Sequence, residues 1–158
     1  YQDMFILQIE VLKDTTSALS TVQEASAKYP EEMYFLANEA DIYIKNGDYA
    51  KTFSMLEKLL AKEPENTNFL RIKADTYFNQ AFDLQEQIRK LELEKKYAEA
   101  DQVIKKKEES LKSSLPLYLQ VEKSAPTDKE VIQIIRNVYF ALGNNEKAEE
   151  YSKKLNAQ

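Results

Sequence analysis

The chain has 158 residues, of which 31% are charged, with a formal charge of -5, two glycines, four prolines, no cysteine and no histidine. The missing cysteine excludes disulfides and thiol chemistry, the missing histidine an imidazole base and the ordinary zinc or haem sites, and the acidic balance argues against a nucleic acid partner. No apolar run approaches the roughly 20 residues that span a bilayer, while Glu, Lys, Ala and Leu dominate, so an all-α chain with one domain-sized core is expected.

The helix-breaking residues supply a frame. Pro30 and Pro64 stand 34 apart, Pro64 and Pro126 stand 62 apart, and Gly47 and Gly143 stand 96 apart, the last interval being the other two together. Because 62 exceeds 34 by 28, the spacing describes a helical repeat in which one unit carries 28 extra residues.

The first unit, 1–32, places Ile6 and Ile9 on the inward face of one helix and Ala18, Val22 and Ala25 on a second, which stops at Pro30. The second, 33–66, has Leu36, Ala40 and Tyr43 on one helical face, then Asn46-Gly47-Asp48-Tyr49, then Thr52, Phe53, Leu56, Leu59 and Leu60 before Pro64. Those steps of three and four predict two amphipathic helices, with Gly47 in the left-handed position that ends the first and Pro64 closing the second. The third, 67–128, repeats the pattern with Leu70, Ala74 and Tyr77, and the fourth, 129–158, with Ile132, Arg136, Tyr139, Gly143, Ala148 and Leu155.

The third unit holds the extension. Its turn, Lys95-Lys96-Tyr97, arrives 14 residues late, so 14 residues lengthen each helix. Fourteen is two heptads, close to four helical turns, and leaves the buried faces unrotated. Tyr77, Ala81, Leu84, Ile88 and Leu91 predict one side of a coiled-coil seam. Tyr97, Ala100, Ile104, Leu111, Tyr118 and Val121 predict the other, with Lys107 and Ser114 also at seam positions. The hairpin is expected to project about 20 Å at 1.5 Å per residue. Pro116 removes one helical hydrogen bond and predicts a kink between residues 112 and 116. Lys105-Lys106-Lys107 is offset by neighbouring acids and reads as a solvated face.

Ala40 and Ala74, the tyrosines Tyr43, Tyr77 and Tyr139, the turn Gly47-Asp48-Tyr49, the alanines Ala18, Ala100 and Ala148, and the recurring prolines together resemble the tetratricopeptide repeat family over the whole chain. Thr52 and Arg136 stand where that pattern favours small residues, and no tryptophan opens a unit. The resemblance implies an α-solenoid of antiparallel helix pairs wound into a right-handed superhelix, whose first helices line a concave groove for an extended peptide or a partner helix. Carried over by position, the groove residues are Tyr34, Ala37, Asp41, Ile44 and Lys45, then Asn68, Arg71, Asp75, Phe78 and Asn79, then Glu130, Gln133, Asn137 and Phe140. Phe78 and Phe140 fit core packing as well as groove exposure. Some members hold a peptide's terminal carboxylate with basic and amide side chains; here Arg71 is expected to face Asp41 and Asp75, which favours a neutral or basic peptide instead.

Two glycines 96 apart make no phosphate-cradling loop, and no carboxylate pair stands out from the charged helix surfaces, so no catalytic residue, cofactor or metal is expected. A non-catalytic scaffold for a peptide or partner protein is the first reading. The second is an assembly module that self-associates through the projecting hairpin or the first helix, where Met4-Phe5-Ile6-Leu7, Ile9, Val11 and Leu12 are apolar around much of the circumference. That helix expects cover, from repeats ahead of Tyr1 or from a second copy in a homodimer. The last helix, with Ala148, Tyr151 and Leu155 amid charges, reads as a solvating cap. Because the chain opens on Tyr1, an upstream segment is expected to have been removed, and the compartment is not legible. Its Lys, Asn, Ile and Tyr content resembles that of bacterial tetratricopeptide proteins.

Overall fold

The computed structural model describes residues 1–157, and among them every regular element is helical. In chain order these are α1 (Gln2–Ile6), continued by a π-helical turn over Leu7–Val11, then α2 (Thr15–Lys28), α3 (Met33–Lys45) and α4 (Tyr49–Lys62). They are followed by α5 (Thr67–Leu93), α6 (Tyr97–Ser124), α7 (Lys129–Ala141) and α8 (Asn145–Asn156). The chain divides into two compact units, Tyr1–Pro64 and Glu65–Gln158. In the first, α1 packs on α2, α2 on α3 and α3 on α4; in the second, α5 packs on α6, α6 on α7 and α7 on α8. Within each unit, every helix packs on its neighbours in the chain. Charge is not shared evenly. Eleven acidic and six basic side chains fall in residues 1–64 and sixteen of each in residues 65–158, so the first unit carries the entire -5.

One device makes all four hairpin turns. A residue in the left-handed region is followed directly by the one that opens the next helix: Lys13 (φ 55°), Gly47 (69°), Lys95 (59°) and Gly143 (76°). Behind the last three, the next amide reaches back over the helix end. Asp48 N donates to Tyr43 O at 3.0 Å, Lys96 N to Leu91 O at 2.9 Å and Asn144 N to Tyr139 O at 2.9 Å. The side chains of Asp14, Asp48 and Asn144 then cap α2, α4 and α8, accepting from the amides of Ser17, Lys51 and Lys147. Asn66 and Asp128 do the same for α5 and α7. Caps of this kind contribute about 1 kcal/mol each.

The first helix is turned differently from its expected register. Phe5 is buried and Ile9 packs beside it against Ala18, Val22 and Ile42, whereas Ile6, expected inside, is 42% exposed. A narrow contact with α2 admits one residue per turn; the larger ring takes it, and Ile6 lies about 100° round the helix. The π-helical turn follows, with Leu12 N bonded to Leu7 O at 3.0 Å, five residues back. Buried Thr52, at a position where a small residue is favoured, satisfies its hydroxyl by donating to Asp48 O at 2.9 Å.

The long hairpin follows the two-heptad prediction. Helices α5 and α6 have 27 and 28 residues against 13 and 14 in α3 and α4, a difference of 14 in each case. Ala81 and Ile88 are buried from α5, and Ala100, Val103, Leu111, Ser114, Tyr118 and Val121 from α6. Lys107 snorkels out of the seam to Gln85 Oε1 at 2.8 Å. Tyr97, expected in the seam, is 62% exposed, and Leu93 across the turn is 73% exposed. Both flank the hairpin tip, where the partner helix has no further turn to cover them, and Val103 is buried instead. Pro116 sits on the exposed side of an unbroken α6.

Candidate protein-binding face

In the second unit, α5 and α7 are the first helices of consecutive pairs, and charged side chains set their register. The Arg71 guanidinium meets Asp128 at 3.0 Å, Asp75 at 3.8 Å and the carboxylate of Glu130. Asp128 also caps α7, so one carboxylate both starts that helix and ties it to α5. Tyr118, wholly buried on α6, donates its hydroxyl to Asp75 Oδ1 at 2.6 Å. Burial pushes the Asp75 carboxyl above its ordinary range, against the opposing pull of the Tyr118 hydroxyl and of Arg71. Burial, and then the hydrogen bond to Asp75, push the Tyr118 phenol upward.

Arg71, Asp75 and Glu130 are thus brought together, joined by Asp128 and Tyr118, which the sequence reading did not place at the site. The capping position of Asp128 before α7 was the available signal. Arg71 finds its carboxylates on Asp75, Asp128 and Glu130, whereas Asp41, expected to face Arg71, pairs with Lys45 one turn along α3 at 2.6 Å. In that first unit Tyr34 stands edge-on to Phe5 and Phe35, with centroids 6.4 and 5.4 Å away.

The two phenylalanines left open by the sequence separate. Phe78 is half-buried, edge-on to Tyr118 with centroids 6.5 Å apart, and packs with Ala81, Leu111 and Val138. Phe140 is 70% exposed. Asn68, Asn79 and Gln133 are exposed, and half-buried Asn137 accepts from Arg136 through Nε at 3.2 Å and Nη2 at 2.6 Å. Arg136, Asn137 and Phe140 of α7 line a cleft of about 580 Å³ together with Asn145, Ala148, Glu149 and Ser152 of α8. Arg136 therefore projects where Ala40 and Ala74 offer only a methyl group. Phe82, which the sequence reading passed over, is 66% exposed on α5.

Among the described residues no group of three or more acidic side chains is disposed to hold a metal ion, and no helix is long and apolar enough to cross a membrane.

Capped helix pairs packed neighbour on neighbour, presenting amides, charges and exposed rings from their first helices, define a helical-repeat protein. Solved structures that it resembles include a tetratricopeptide repeat protein from Parabacteroides merdae ATCC 43184, at 20% identity and a TM-score of 0.47, over 98% of this chain and 62% of that one. Two others are the MamA protein, at 16% identity and 0.46, covering 97% of this chain and 88% of that one, and MamA MSR-1 C2, at 20% and 0.43, covering 99% and 93%. The chain spans under two thirds of the length of the Parabacteroides protein. No family model and no curated protein matches it.

Proposed function

We propose that this chain is a non-catalytic protein-interaction module that holds a peptide or a segment of a partner protein on the face shared by α5 and α7. The observation that carries the reading is Phe140, 70% exposed beside Asn137 and the α7–α8 cleft. A ring left in water amid amides gains from being covered, and aromatic groups with nearby hydrogen-bonding side chains dominate many interfaces. Asn79, Gln133 and Asn137 supply donors and acceptors for a peptide backbone, in the manner the tetratricopeptide resemblance implies. Panning a random dodecapeptide display library on the intact chain tests this. Enriched peptides are expected, with binding reduced several-fold by Asn79→Ala together with Asn137→Ala; no enrichment, or binding indifferent to the pair, refutes it.

A second reading rests on the first helix. Met4, Leu7 and Val11, at steps of three and four, are 55%, 49% and 67% exposed and form an apolar stripe, with Leu12, 61% exposed, adjoining its end. We infer that this stripe pairs with that of a second copy. Light scattering over a range of concentrations is expected to show a dimer that Leu7→Glu with Val11→Glu dissociates; a monomer at every concentration refutes it.

A further inference from the structure

We infer that the partner segment recognised on the α5–α7 face carries a bulky apolar side chain and, three to five residues away, a lysine or arginine; the inference rests on the reading of this face as a binding surface. Its basis is the register set by Arg71. That residue, near the start of α5, bonds to Asp128 and Glu130, the residues on either side of Lys129 at the start of α7. Phe78 on α5 and Ile134 and Val138 on α7 share one apolar cluster further along, so the two helices advance in the same direction. Phe82 stands eleven residues beyond Arg71, and Phe140 stands eleven beyond Lys129. Eleven residues complete just over three whole turns, so the two phenylalanines share one level and Phe82 returns to the stripe that holds Arg71 and Asp75. They are 66% and 70% exposed. The hairpin seam does not use Phe82, and the core does not use Phe140.

The other end of the same face is acidic. Three carboxylates, on Asp75, Asp128 and Glu130, surround the single guanidinium of Arg71, and with the neighbouring Lys129 counted this end keeps one excess negative charge when all are ionised. Glu130 points its charge outward, with a side chain 70% exposed, while that of Asp128 is 27% exposed. Between the two ends lie the uncharged Asn79, Gln133 and Asn137. From Asp75 to Phe82 is seven residues, or roughly 10 Å along the helix, and from Arg71 roughly 16 Å. An extended peptide covers those spans in about three to five residues at 3.3 Å each. An apolar side chain seated over the two rings therefore brings a cation at that spacing to Glu130 and Asp75, where an anion would be repelled.

The test uses the intact chain and fluorescein-labelled Lys-Ala-Ala-Ala-Phe and its reverse, with Glu in place of Lys as the charge control, read by fluorescence anisotropy. At least one lysine peptide is expected to bind about tenfold more tightly than its glutamate counterpart. Phe82→Ala and Phe140→Ala, both at exposed positions that leave the fold intact, are each expected to weaken it about fivefold or more, and Glu130→Gln with added salt to erase the charge preference. Peptide binding that is lost with Asn79→Ala and Asn137→Ala and weakened by Phe140→Ala, but is indifferent to Phe82→Ala or to the charge of the peptide, overturns this inference and leaves the binding face standing. If library panning also enriches nothing, both readings fall.

Discussion

Replacing Lys95 with glycine should stabilise the protein. Lys95 occupies the left-handed region at φ 59°, where the equivalent turns of α3–α4 and α7–α8 have Gly47 at 69° and Gly143 at 76°. A side chain there brings its Cβ against the following carbonyl and costs about 1–2 kcal/mol. Glycine relieves that and adds back about 0.5–1 kcal/mol through its greater freedom in the unfolded chain. The net expectation for Lys95→Gly is a gain of about 0.5–1 kcal/mol, with slower hydrogen exchange at the Lys96 amide, which closes the turn on Leu91 O. Gly47→Ala is the matched reverse. No atom lies within 4 Å of a Cβ built at Gly47, so packing contributes nothing and the backbone alone should cost about 1 kcal/mol. Urea unfolding followed by circular dichroism measures both. Should Lys95→Gly destabilise, or Gly47→Ala prove neutral, the shared-turn argument is wrong.

Pro116→Ala restores a donor to the Lys112 carbonyl at an exposed position and is expected to raise stability by about 1–3 kcal/mol in the same melts; a loss would mean that the proline packs usefully. In the unaltered chain, amides near Lys112 should exchange faster than those near Leu119, and Pro116→Ala should even out the difference. Tyr118→Phe keeps the buried ring but removes the donor to Asp75, at an expected cost of about 1.5–3 kcal/mol at neutral pH. Asp75→Asn has a pH signature. The folded-state pKa of Asp75 is raised, so its contribution is fully present below the unfolded value and is lost as pH rises through the folded one. The stability of Asp75→Asn relative to the parent should therefore improve from about pH 3 to pH 7. A difference that stays flat or moves the other way contradicts the burial argument.

Much of the helical architecture was legible because it rests on residues with few alternatives. Gly47 and Gly143 mark positive φ, and the late turn at Lys95-Lys96-Tyr97 is legible from its likeness to the turn at Asn46-Gly47-Asp48-Tyr49 even though no glycine stands there. The finer choice of which side chain faces inward was less accessible. Ile6 and Phe5 are adjacent, and only their competition for the contact with α2 turns the ring in and Ile6 out. Phe78, Phe82 and Phe140 are identical in the chain and differ solely in what the neighbouring helices offer them. Arg71 and Asp75 could be placed on one helical face from their spacing, but the partners Asp128 and Tyr118 come from α7 and α6, 57 and 47 residues beyond Arg71, beyond the reach of periodicity.

The placement of all the net charge in residues 1–64 makes the molecule electrically lopsided. A cationic body approaching in dilute salt feels a pull toward the first unit well before any contact forms, and that pull fades once the screening length falls to about 10 Å near 0.1 M salt. The second unit, neutral as a whole, acts only through the local arrangement of its charges. Long-range attraction of cations and the local pattern of charge pairs thus belong to different halves of one chain, and ionic strength weakens the first far more than the second.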